Sequence, residues 1–131
     1  MPTRPNVLIS IVDDDQSVRE AVEALIESLG YRVRAFQSAI DFLASADVAD
    51  TCCMIADVHM PHMSGVELHR RLGQLGRAIP TILITAYTNE GARDRALADG
   101  VVCYLTKPFD NDALIRCVQS ALQDRNPGAN G

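Results

Sequence analysis

Five strand-length runs, each followed by a segment with helical spacing, leave this chain few folds to choose from. The runs are VLISIV (7–12), YRVRAF (31–36), CCMIAD (52–57), PTILIT (80–85) and VVCYL (101–105). After the first, Val18, Val22, Leu25, Ile26 and Leu29 recur at i, i+4, i+7, i+8 and i+11, with Asp15 or Ser17 to cap the helix start and Gly30 its end. Segment 38–46 opens on Ser38 and spaces Ile40, Phe42 and Leu43 helically; 65–76 is a further helix. Segment 89–99 is helical by composition but offers little inward besides Ala92, Ala96 and Leu97, whereas 110–123 places Leu114, Ile115, Val118 and Leu122 on one face. Four of the five strands are apolar almost throughout, so they must be covered on both sides. Alternation with helices then predicts an α/β fold, a doubly wound, five-stranded and mostly parallel sheet with helices on both faces. Right-handed crossovers restrict the winding, but the pattern alone leaves the strand order open.

With 131 residues, 47% hydrophobic and 22% charged, the chain suits one globular domain. Residues 1–124 are read as that domain and 125–131 as a polar tail or linker stub. No apolar run reaches membrane-spanning length, and MPTRPNVLIS has no apolar core of a signal peptide, so a cytoplasmic location away from membranes is expected. A net charge of −5 disfavours direct contact with nucleic acid and suits a cation or a basic partner. Cys52, Cys53, Cys103 and Cys117 form no CxxC pair and are read as small buried thiols in a reducing compartment.

The polar residues fall where the strands end. Asp13, Asp14 and Asp15 follow the first strand, Asp57 ends the third, Thr85 the fourth, and the fifth leads through Thr106 to Lys107 and Pro108. In a parallel sheet these ends share one edge, the edge at which open α/β folds bind ligands. Asp15 alone is an ordinary helix cap. Two carboxylates about 4 Å apart repel by about 4 kcal/mol at an effective dielectric near 20, so three gathered together call for a cation. Hard oxygen ligands without a thiolate favour Mg²⁺. One such ion with the Lys107 ammonium would neutralise Asp13, Asp14 and Asp57 and leave the site ready for a phosphoryl group. His59 and His62 raise a transition-metal site as a rival, which the hard-oxygen neighbours disfavour.

The motifs VDD (12–14), D-x-x-M-P-x-M-x-G (57–65), T-A (85–86) and K-P-F (107–109), in that order and each after a strand, resemble those of the receiver domains of two-component response regulators. The resemblance covers residues 6–124, and MPHMSGVEL is similar to the FixJ-type branch. It implies the flavodoxin-like strand order 2-1-3-4-5. It implies that Asp57 accepts a phosphoryl group from a sensor histidine kinase, that Asp13, Asp14, Asp57 and the main-chain carbonyl of His59 hold Mg²⁺, and that Thr85 and Lys107 bind phosphoryl oxygens. Pro61 and Gly65 would shape the loop after Asp57, and a cis peptide is expected at Lys107–Pro108. Thr85 and Tyr104 would form the switch, moving the face made by helix 89–99, the fifth strand and the last helix toward a downstream protein or output domain. Dimerisation on phosphorylation is a further expectation. Such a domain is not an enzyme acting on an external substrate, although it catalyses its own phosphorylation and slow dephosphorylation.

Two bulky residues, His59 and Tyr87, flank the expected path of hydrolytic water and predict a long-lived phosphoryl group. Two alternatives come from other classes. An aspartyl-nucleophile phosphohydrolase would generally place a second acid where His59 stands and would need a substrate cap. A phosphate-independent, flavodoxin-like binding module would need a Gly- or Ser/Thr-rich loop where DDDQS stands.

Overall fold

The computed structural model describes residues 4–125. Its strands are β1 (Leu8–Val12), β2 (Arg32–Phe36), β3 (Thr51–Asp57), β4 (Thr81–Thr85) and β5 (Cys103–Thr106). All pair in parallel, in the order β2-β1-β3-β4-β5. The helices are α1 (Gln16–Ser28), α2 (Ala39–Leu43), α3 (Gly65–Gln74), α4 (Glu90–Ala98) and α5 (Asn111–Arg125). Among the described residues no helix is long and apolar enough to cross a membrane.

Strand alternation divides the core into two layers. Ile9, Ile11, Cys53, Ile55, Ile82 and Ile84 pack with Val22 and Ile26 of α1 and with Leu114 and Val118 of α5. Val12, Met54, Ala56 and Leu83 face the other way, onto Phe42 of α2, Leu68 and Leu72 of α3 and Ala96 of α4. Asp15 caps α1 by accepting from the Ser17 and Val18 amides, while Ser64 and Glu67 form a reciprocal capping box at α3.

Several boundaries differ from those the pattern predicts. α2 stops at Leu43, because the Ala44 and Ser45 amides close onto Ile40 and Phe42. Ser45 then caps a 3₁₀ helix, Ala46–Asp50, that periodicity did not reveal. Pairing of β5 begins later than residue 101, because the Val101 amide closes the end of α4 onto the Ala96 carbonyl at 3.1 Å. The strand continues to Thr106. The Lys107–Pro108 peptide is cis, as the resemblance implied. The proposed tail, 125–131, falls outside the described residues except for Arg125, which ends α5.

The cysteines require a correction. Cys52 and Cys53 are free, and Cys53 is fully buried, but Cys103 and Cys117 form a disulfide rather than two separate thiols. Their Cα atoms lie 6.0 Å apart. The cause is tertiary: after Lys107–Pro108 the chain reverses, and α5 packs back over the face of β5 that carries Cys103.

Candidate functional site

The sheet register builds the site. Val12 pairs with Ala56, so Asp13 emerges beside Asp57 at the carboxyl edge. Asp57 pairs with Ile84 and Thr85 with Thr106, which brings the start of the Lys107 loop to the same rim. Asp13, Asp14 and Asp57 each offer a carboxylate oxygen, and these oxygens lie within 4.8 Å of one another. Asp13 is fully buried and Asp57 nearly so, whereas Asp14 is exposed. Lys107 Nζ lies 3.3 Å from Asp13 Oδ2 and 3.6 Å from Asp57 Oδ1.

One ammonium does not offset three carboxylates. Burial raises the carboxyl of Asp13 above the usual range, despite the Asp15 amide at 2.9 Å and the Lys107 charge that pull the other way. Asp57 is also raised, first by burial and then by the negative charge of Asp13, with Lys107 opposing. A divalent cation among hard oxygens would reverse both effects, so the donor set fits Mg²⁺.

The loop after Asp57 is tied on both sides. The Val58 amide donates to Ile84 O at 2.8 Å, and Val58 O accepts from the Gly65 amide at 3.2 Å. His59, exposed, is the first residue beyond these ties. His62 occupies the left-handed region at φ 70°, which turns the loop toward α3. A Cβ on Gly65 would stand 2.5 Å from the Asp57 carbonyl oxygen and 3.0 Å from Leu83 Cδ2, so only glycine allows α3 to begin here.

The remaining expected residues lie nearby. Thr85 is fully buried, and its Oγ1 accepts from the Tyr87 amide at 3.1 Å and donates to Tyr87 O at 3.3 Å. Tyr104 is half-buried and packs with the layer that contains Ala96 of α4. The His59 and Tyr87 rings meet edge to face, with centroids 5.0 Å apart. His59 thus packs on an aromatic ring, and among the described residues the group of three or more potential metal ligands is Asp13, Asp14 and Asp57, without His59 or His62.

Sequence reasoning missed Arg19. Its Nη1 donates to the Asp13 main-chain carbonyl at 2.7 Å and braces the acidic turn from α1. The only sequence signal is its place four residues after the cap Asp15, one turn along the helix. Beside Lys107 an apolar groove of about 470 Å³ runs between α1 and the start of α5, lined by Val18, Ala21, Leu25, Pro108 and Phe109.

Comparison with known proteins gives this rim a context. A family model described as the response regulator receiver domain matches residues 9–119. The response regulator TmoT of Ectopseudomonas mendocina is 39% identical over 116 residues, covering 88% of this chain and 53% of the relative. The transcriptional regulatory protein FixJ of Rhizobium meliloti is 36% identical over 113 residues, covering 86% and 55%. The chain thus spans about half the length of the curated relatives it matches. Among solved structures, the response regulator StyR superposes with a TM-score of 0.86 at 34% identity, covering 95% of this chain and 63% of that one. FixJ-N gives 0.80 at 34% identity, covering 89% and 94%. With the family model spanning most of its length and such relatives beside it, the chain belongs to the response regulator receiver domains of two-component systems.

Proposed function

We propose that Asp57 is the phosphoacceptor of this receiver domain and that a histidine kinase in the cytoplasm is its donor. One observation carries the reading: Asp13, Asp14 and Asp57 converge within 4.8 Å with Lys107 against two of them. Two buried carboxylates beside a third are costly to keep unless a cation completes the cluster, and a cation there leaves Asp57 set to receive a phosphoryl group.

In the transfer, a carboxylate oxygen of Asp57 attacks phosphorus of the donor phosphohistidine. The P–N bond breaks as the P–O bond forms, and the imidazole nitrogen leaves with the bonding pair. Such chemistry needs positioning and charge neutralisation above all. β3 supplies the positioning, since Asp57 ends a strand paired on both sides. Lys107 Nζ, already near Asp57, follows the developing charge onto the phosphoryl oxygens. When bound at Asp13, Asp14, Asp57 and the His59 carbonyl, Mg²⁺ supplies further charge neutralisation at those oxygens. The groove along α1, beside Lys107, has the apolar lining to seat a helix of the kinase.

The signal then leaves through Thr85. In the structure its hydroxyl is engaged with the Tyr87 main chain. Phosphoryl oxygens draw that hydroxyl inward, the 85–87 turn opens, and Tyr104 rotates toward the vacated space. α4, β5 and α5 thereby present a changed face to an output domain, a downstream protein or a second copy.

The test is intact mass after incubation with Mg²⁺ and acetyl phosphate, with Asp57→Asn and a metal-free control alongside. The expected result is one added phosphoryl group, dependent on metal and absent from Asp57→Asn. A modified Asp57→Asn protein would overturn the assignment, as would an unmodified wild type that its cognate kinase also fails to label.

A further inference from the structure

The cysteine pair lies at the edge of the face just described. We propose that Cys103 and Cys117 are a reversible oxidation site, whose state decides whether α5 is covalently joined to β5. The step itself is independent of phosphorylation; its effect on signalling rests on the receiver reading above.

Three observations support the site. First, the pair is the one combination placed to close. Its Cα atoms are 6.0 Å apart, inside the range a disulfide requires. Cys52 and Cys53 are consecutive in β3 and point to opposite faces. The Cys53 thiol is fully buried and pushed up to about 12, first by burial, which leaves it inert to mild oxidants. Second, Cys103 lies on the edge strand β5 and is only half-buried, in contrast to the fully buried Cys53. Third, α5 does not depend on the bond: Leu114, Val118 and Ala121 are fully buried and hold the helix in either state.

The position gives the chemistry a consequence. Cys103 faces the α1 and α5 layer, and its neighbour Tyr104 faces the α4 layer. Oxidation therefore fixes α5 to β5 on one side of the strand while Tyr104 remains free on the other. In the oxidised form a signal from Thr85 moves α4 alone; in the dithiol form α5 shifts as well.

The oxidant is a hydroperoxide. The Cys103 thiolate attacks its terminal oxygen, the O–O bond breaks, and a sulfenic acid forms at Cys103 with release of an alcohol, or of water when the oxidant is hydrogen peroxide. Cys117 sulfur then attacks the sulfenic sulfur and expels water. Two electrons pass from the two sulfurs to the peroxide oxygens, and the two thiol protons end in the products. In reverse, two molecules of a glutathione-type thiol reduce the bond through a mixed disulfide and leave as their own disulfide.

Mass spectrometry tests this directly. Reduced protein is treated with equimolar hydrogen peroxide, denatured, alkylated and digested with trypsin. Arg116 separates the two cysteines, and Lys107 is protected by Pro108, so they fall in different peptides. The expected product is a linked pair of these peptides, two hydrogens lighter than their sum, with Cys52 and Cys53 alkylated in the same sample. It disappears in Cys103→Ser and in Cys117→Ser, and it reverts in excess reduced glutathione. Amide exchange in residues 112–122 is expected to be about tenfold slower in the oxidised form. No linked peptide after peroxide would overturn the site, and a link that survives glutathione would make it a permanent staple. Equal exchange in the two forms would overturn the control of α5. None of these readouts needs phosphate, so they fail separately from the phosphoacceptor reading.

Discussion

β4 is buried at every position and β3 at all but Cys52, whereas β5, on the adjacent edge, is half-buried at three positions and exposed at the fourth. The helices over them differ in the same sense. α3 buries Gly65, Leu68 and Leu72, while α4 buries Ala96 alone. The closely packed half carries Asp57, the proposed phosphoacceptor, whose attack would have to be aimed, and interiors at crystalline density hold such a group in place. The loosely packed half carries Tyr104 and α4, which the proposed switch would move, and elements with little buried apolar surface open at low cost. Under the proposed function, aim and motion fall to different strands of one sheet, with Thr85 at their border.

Removing equivalent bulk from each half should have very different effects. Ile55→Ala in β3 should destabilise the domain by about 3–4 kcal/mol, whereas Leu97→Ala in α4, half-buried, should cost about 1 kcal/mol or less. Urea unfolding measures both, and equal losses would end the distinction.

Charge offers a second test of the rigid half. Because folding raises the Asp13 and Asp57 carboxyls, it favours their protonated forms. The stability they contribute is therefore complete below the usual value of 3.8 and is lost as pH rises through their higher folded values. Asp57→Asn should accordingly stabilise the metal-free domain at pH 7, by about 1 kcal/mol or more, and have little effect near pH 3.5. Thermal unfolding across that range, with and without Mg²⁺, checks the sign. An advantage that grew toward low pH would contradict the electrostatic account.

At the border, Thr85→Ala removes a buried hydroxyl bonded to Tyr87 and should cost about 1 kcal/mol. It should leave labelling by acetyl phosphate intact while abolishing phosphorylation-driven partner binding or dimerisation. A retained response would put the coupling elsewhere. The smallest effect is expected at Tyr87, whose ring meets His59 above the rim. Tyr87→Ala should hasten loss of the phosphoryl group about threefold by admitting water, and decay of the labelled protein would reveal it.

Much of this was legible from residue order. The strand runs set the layers, and Asp13, Asp57 and Lys107 could be placed on one edge because parallel strands share their carboxyl ends. What escaped was whatever depended on a particular close approach. The cysteine pair is separated by 14 positions across a strand, a reversal and a helix, and no local period records that α5 returns over Cys103. Arg19 reads as an ordinary exposed helical arginine until the turn at Asp13 brings a carbonyl to it. The resting partner of Thr85 was hidden too, since a hydroxyl at a strand end can bond its own loop as readily as a ligand.

The glycine at position 65 has a consequence for anyone who exchanges parts among such domains. Its hydrogen stands where any side chain would strike the Asp57 carbonyl, and its amide closes the loop back onto Val58. Residues 58–65 are therefore a ring closed by the Gly65 amide on the Val58 carbonyl, with Gly65 packed against the Asp57 carbonyl, not a strand, a loop and a helix that meet by chance. A loop graft that begins or ends inside the ring inherits half of a fit. One that carries both ends brings the seat of Asp57 with it, and residues 57–65 form the smallest piece expected to transplant intact.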